Sequence, residues 1–160
     1  MPRRGPATSK RPSDTAPPRD ARDAACRALA AQARAFPLLI PTPPDTAGLE
    51  PREAALAHAI HDAAIRRWLT LSFLIEHAGG RPMGDLEPAI RAVLLAGAAQ
   101  LLLLDRIPAH AAIDQSVEWA KRRIRPKAGG LVNAVLRRVN DLIARDADGA
   151  PTTRERWSDK

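Results

Sequence analysis

Apolar residues recur at spacings of three and four along five stretches of the chain, and no stretch alternates apolar with polar residues. The pattern therefore predicts helices and no strands. The first helix is expected from about Arg19 to Phe36, Ala-rich, with Asp20 as its N-cap and Pro37 as its stop. The Pro-punctuated stretch 37–51 reads as a loop. A second helix is expected from Pro51 to about Ala78, with Leu56, Ile60, Ala64, Trp68, Leu71 and Ile75 on one face and Gly79-Gly80 as its end. The third begins near Asp85, with Pro88 in its first turn. It is apolar nearly all round from Val93 to Leu104, which marks the central, most buried helix. A fourth starts at Pro108 and turns Ile113, Val117, Ala120 and Ile124 inward. A fifth opens at Pro126 and turns Leu131, Val135, Leu136, Val139 and Leu142 inward. Gly129-Gly130 lowers its helix propensity, as a close approach of another helix would require. The fold class is all-α, a helical bundle.

The ends of the chain differ from this pattern. Residues 1–18 hold no aliphatic side chain larger than Ala apart from Met1 and read as a disordered, Pro-rich arm with Arg3, Arg4, Lys10 and Arg11. Residues 146–160 read as a polar tail. The ordered domain is expected over 19–145. No apolar run approaches a membrane span and no signal peptide is visible, so the expectation is a cytoplasmic protein with no membrane association.

The residues that carry chemistry are few. The single cysteine, Cys26, rules out an internal disulfide and sits among alanines, where a small buried thiol is the plain reading. His58 and His61, with Asp62, superficially resemble a metal site but lack a third ligand placed by spacing. Gly129-Gly130 has neither the preceding strand nor the GxxxxGK[ST] pattern of a phosphate loop. No catalytic residue, metal site or cofactor is therefore assigned, and the chain is not expected to be an enzyme.

Charge supplies the remaining signal. Lys and Arg number 25 against 18 Asp and Glu, a net charge of +7. The run Lys121–Lys127 holds Lys121, Arg122, Arg123, Arg125 and Lys127 with no acid, at the junction of the last two helices. A helix starting at Pro126 would add free backbone N–H donors there. Arg19 and Arg22, three apart, are expected on one face at the start of the first helix. If the two clusters converge they form one surface for phosphates. If they lie apart, or carboxylates neutralise the junction, only a solvated charged face is left. Only 3% of residues are aromatic, so stacking of bases on arginine planes outranks an aromatic platform. Trp68 and Trp119 read as core, Asn133 as a satisfier of buried backbone groups, and His110 as packed or capping.

Arg106-Ile107-Pro108-Ala109-His110-Ala111-Ala112 and Leu131-Val132-Asn133-Ala134-Val135-Leu136-Arg137-Arg138 resemble the signatures of the NusB/RsmB family, and Arg19-Asp20-Ala21-Arg22-Asp23 resembles its first helix start. The resemblance implies an all-α, NusB-like bundle of two packed subdomains. It implies RNA binding through the N-terminal arginines and the basic helix ends, here Arg19, Arg22, Lys121, Arg122, Arg125, Lys127, Arg137 and Arg138. One branch of the family acts in transcription antitermination on ribosomal RNA leaders with a ribosomal-protein partner. The other is the N-terminal domain of rRNA cytosine-C5 methyltransferases, whose wording is the closer but whose SAM domain and catalytic cysteines are missing from these 160 residues. The implied protein is a non-enzymatic RNA-binding protein, monomeric or weakly dimeric. A helical protein-interaction module is the alternative.

Overall fold

The computed structural model describes residues 15–144; residues 1–14 of the arm expected over 1–18, and the tail expected over 146–160, lie outside them, while Pro18 at the end of that arm is buried. Among the described residues there are six α-helices, one short 3-10 turn at Met83–Asp85, and no strand. The helices are α1 (Ala21–Ala35), α2 (Pro51–Arg66), α3 (Trp68–Gly79), α4 (Pro88–Leu103), α5 (Ala109–Arg123) and α6 (Ala128–Ala144).

Helix α1 starts where Asp20 Oδ1 accepts the Asp23 N–H at 2.8 Å, as an N-cap should. A second orphan donor, the Ala21 N–H, is taken by Glu53 Oε2 of α2 at 2.8 Å, so a neighbouring helix completes the cap. Pro51 and Pro88 occupy the first turns of α2 and α4, where a missing N–H costs nothing. Gly80 closes α3 with φ 69°, a left-handed conformation that glycine adopts without strain.

The expected single helix over 51–78 is two. Arg67 leaves the helical region at φ −117° and ψ 25°, and the chain turns there so that α2 packs on α1 while α3 packs on α6. The apolar periodicity runs through the break because both halves bury a stripe, and neither Pro nor Gly marks it. The last helix also differs: α6 begins at Ala128, and Arg125–Lys127 form a turn before it.

Helix α4 is the buried centre. Twelve of its residues are buried, including Ile90, Val93, Leu94, Leu95 and Leu102, and it touches every other α-helix. With α1 and α2 it forms one packed group; with α3, α5 and α6 it forms the other, and one continuous core runs through both. Gly97 lets α6 reach this helix: a Cβ there would lie 2.6 Å from Leu136 Cδ1 and 3.0 Å from Ser116 Oγ. Gly129 plays the same role between α6 and α5, where a Cβ would meet Lys121 Cγ at 2.7 Å, whereas Gly130 faces open space.

Candidate nucleic-acid interface

Asp23, in the first turn of α1, is buried to 1% exposure and carries four polar contacts. Its Oδ1 accepts the Trp119 indole N–H at 3.0 Å and lies 3.2 Å from Arg123 Nε. Its Oδ2 accepts the Arg19 backbone N–H at 2.9 Å and pairs with Arg27 at 2.9 Å. Burial alone pushes this carboxyl up. The Arg19 N–H, the Trp119 indole and the Arg123 and Arg27 guanidinium groups outweigh burial and hold it below its ordinary value. One carboxylate thus ties the start of α1 to the last turn of α5, through the Arg19 backbone N–H and the Arg123 side chain.

The cations divide by what they already do. Arg123 is turned inward onto Asp23 and serves the fold. Arg22 is half-buried, with Nε donating to Gln100 Oε1 of α4 at 2.9 Å. Arg19 is exposed just before the helix, so the two do not present one face as expected. Lys121, Arg122, Arg125 and Lys127 are all exposed. Two of them meet carboxylates: Lys121 lies 3.6 Å from Glu118, and Arg125 pairs with Glu87 at the start of α4. Both pairs are exposed, so water and competing anions weaken them. Arg122 and Lys127 make no ion pair among the described residues. Arg137 and Arg138 lie about 15 Å further along α6 at 1.5 Å per residue. There Arg137 Nε donates to Asn133 Oδ1 at 3.0 Å and Arg138 reaches the Ala78 carbonyl of α3 at 3.3 Å.

The helix-start donors expected at Pro126 are partly spent. With α6 beginning at Ala128, the Ala128 N–H bonds Arg125 O at 3.0 Å and the Gly129 N–H bonds Pro126 O at 3.4 Å. Asn133 holds an arginine rather than buried backbone, and His110 is exposed in the first turn of α5. Trp68 and Trp119 are core residues, 5% and 4% exposed.

A cleft of about 440 Å³ opens beside the Asp23 hub. Arg27 and Arg34 of α1, Arg123 and Trp119 of α5, and Pro43 and Asp45 of the following loop line it. Arg27 Nε is buried there with no hydrogen-bond partner. Arg27 and Arg34 are not among the cations expected in the interface, although their spacing of seven residues puts them on one face of a helix. Cys26 is buried in the core, and burial together with the nearby Asp23 and Asp20 charges pushes its thiol pKa far up, so it is no nucleophile. His61 is buried with Nδ1 3.3 Å from Asp62. Among the described residues no group of three His, Cys, Asp or Glu is placed to hold a metal, and no helix is long and apolar enough to cross a membrane.

Comparison with known proteins matches this chain to the model of the NusB family over residues 19–141. The ribosomal RNA small subunit methyltransferase B of Xanthomonas campestris is 40% identical over 90 residues, 56% of this chain and 20% of the relative. That of Vibrio cholerae is 34% identical over 101 residues, 63% of this chain and 22% of the relative. The chain thus spans about a fifth of the length of these curated relatives. Among solved structures, T. maritima NusB superposes with a TM-score of 0.64 at 22% identity, over 76% of this chain and 88% of that one. A chain in the crystal structure of a plectonemic RNA supercoil superposes at 0.62 and 23% identity, over 76% of this chain and 91% of that one.

Proposed function

Because this chain belongs to the NusB family, we propose that it is a non-catalytic RNA-binding module whose ligand is ribosomal RNA or its leader. The observation that supports the reading is the joining of α1 to α5 at Asp23, which takes the Arg19 backbone N–H on one side and the Arg123 side chain on the other; on this reading Arg19 and the exposed cations of the α5–α6 junction share one surface. Such a surface reads phosphates, and the adjoining cleft with Arg27 and Arg34 extends it. Of the eight cations expected in the interface, Arg19, Arg122 and Lys127 carry the phosphate contacts. Lys121 and Arg125 join when RNA displaces their exposed carboxylates. Arg22 acts by fixing α1 to Gln100. Arg137 and Arg138 serve a second stretch of backbone along α6. Guanidinium planes rather than aromatic rings stack on the bases.

The likeness to methyltransferase B favours a role in rRNA maturation, with this chain as the RNA-recognition part of an rRNA cytosine-C5 methyltransferase. A role in antitermination with a ribosomal-protein partner rests on the family and on the likeness to T. maritima NusB. A gel-shift series with single-stranded 16S rRNA segments, a ribosomal RNA leader, a scrambled RNA and duplex DNA tests both. RNA is expected to bind ahead of duplex DNA, and preference for 16S segments over the leader supports the maturation role. Equal affinity for all four overturns the RNA reading. Cytoplasmic location accompanies it.

A further inference from the structure

The cleft of about 440 Å³ beside the Asp23 hub carries two charges that the fold does not use. Arg34, in the last turn of α1, is exposed and makes no ion pair or hydrogen bond among the described residues. Asp45 stands in the loop after α1, where its Oδ1 accepts the Ala47 N–H at 3.0 Å. That bond orients the carboxylate, and Oδ2 has no partner among the described residues. Arg27 and Arg123 also line the cleft, but both are committed to Asp23.

A bare phosphate does not suit this pair. A carboxylate accepts hydrogen bonds and donates none, so Asp45 repels an anion and calls for N–H donors. Arg34 calls for an anion. The fitting ligand carries negative charge at one place and N–H groups at another. Pro43, Ala28 and Ala31 supply apolar wall against which a flat ring can pack. The volume lies within the range of small-ligand sites, about 300–1,000 Å³, and admits a nucleotide but no duplex.

We propose that the cleft takes one unstacked guanosine of the bound RNA, with Asp45 accepting the base N–H groups and Arg34 holding a phosphate. Guanine alone among the four RNA bases sets two N–H donors side by side, at N1 and N2, to meet both carboxylate oxygens. Adenine and cytosine place an acceptor nitrogen beside their amino group, and uracil flanks its N–H with two carbonyls. Each of those acceptors would face an oxygen of Asp45. Pro18 lines the same cleft and adjoins Arg19. A strand with a phosphate on Arg19 therefore brings a neighbouring nucleotide to it. The assignment rests on the RNA reading above and adds base selectivity, which phosphate contacts alone do not give.

Fluorescence anisotropy on the full chain tests this with a uridine decamer and with the same decamer carrying one central G, A, C or inosine. The G decamer is expected to bind about tenfold tighter than the all-U one, as a bidentate base contact does. Inosine keeps N1–H and lacks the amino group, so it falls between them. Asp45→Asn puts a donor where an acceptor stood, and the G and U decamers then bind within about twofold of each other. Arg34→Ala weakens all five by a similar factor and lowers the salt slope by about 0.7. Both side chains are exposed, so thermal melts of the two variants match the wild type and separate lost recognition from lost fold. Five decamers of equal affinity that still weaken with salt overturn the guanosine site and leave the RNA reading standing. A preference for G that survives Asp45→Asn overturns the site too. No binding of any decamer at low salt overturns both. GMP that binds more tightly than the G decamer assigns the cleft to a free nucleotide and overturns its role in RNA recognition.

Discussion

The indole N–H of Trp119 donates to the carboxylate of Asp23 at 3.0 Å across 96 residues of chain. This buried bond, with Arg123 and Arg27 on the same carboxylate, fixes where α1 stands against α5. Asp23→Asn leaves two guanidinium groups facing a neutral amide in a dry site. Breaking one partner out of a buried charge network costs about 3 kcal/mol. Urea denaturation at pH 7 is expected to show a loss of that size; a loss below about 1 kcal/mol means that water reaches the hub.

The hub also makes stability depend on pH. The Asp23 carboxyl sits below its ordinary value of 3.8 when folded. The folded state therefore binds fewer protons than the unfolded one as pH approaches that value. The stabilisation is complete above 3.8 and is lost as pH falls through the lower, folded value. Urea midpoints measured between pH 7 and pH 3 are expected to fall on the acid side for the wild type. They fall less for Asp23→Asn.

Glycines of the same chain should respond in opposite senses. Gly97→Ala puts a Cβ 2.6 Å from Cδ1 of the fully buried Leu136, so a packed core side chain must shift. Overpacking of this kind costs about 1–3 kcal/mol. Gly130→Ala meets nothing within 4 Å and gains helix propensity, about 0.5–1 kcal/mol. Thermal melts of the two variants check the pair.

Much of this was legible in sequence and some was not. Periodicity located α1, α4, α5 and α6 because each buries a stripe bounded by Pro, Gly or Asp. It ran straight through Arg67, where the chain turns without a breaker residue, because α2 and α3 each continue the stripe against a different neighbour. Lys121–Lys127 read as one exposed run, yet Arg123 points inward to Asp23. Only tertiary packing could separate it from Arg122. The convergence of α1 with α5 was an expectation about two segments far apart in sequence, and nothing local could decide it. Arg27 and Arg34 carry a usable signal in their seven-residue spacing, but lone arginines on an Ala-rich helix form no charge run.

Arginines of the junction should separate by function. Arg123→Ala removes a hub partner and is expected to lower stability by about 2–3 kcal/mol, as loss of a buried charge partner does. Arg122→Ala and Lys127→Ala should leave the melt unchanged, since both side chains are exposed. Circular dichroism melts of the three variants distinguish these roles before any RNA is added.

The affinity of the full chain for single-stranded rRNA, measured at several salt concentrations, tests the converged basic surface most directly. Affinity is expected to fall steeply with salt, and Arg19→Ala, Arg122→Ala and Lys127→Ala are each expected to reduce the slope by about 0.7 as one phosphate contact is lost. If the slope and affinity of the triple variant equal those of the wild type, phosphates are not bound where α1 meets α5, and the account is contradicted.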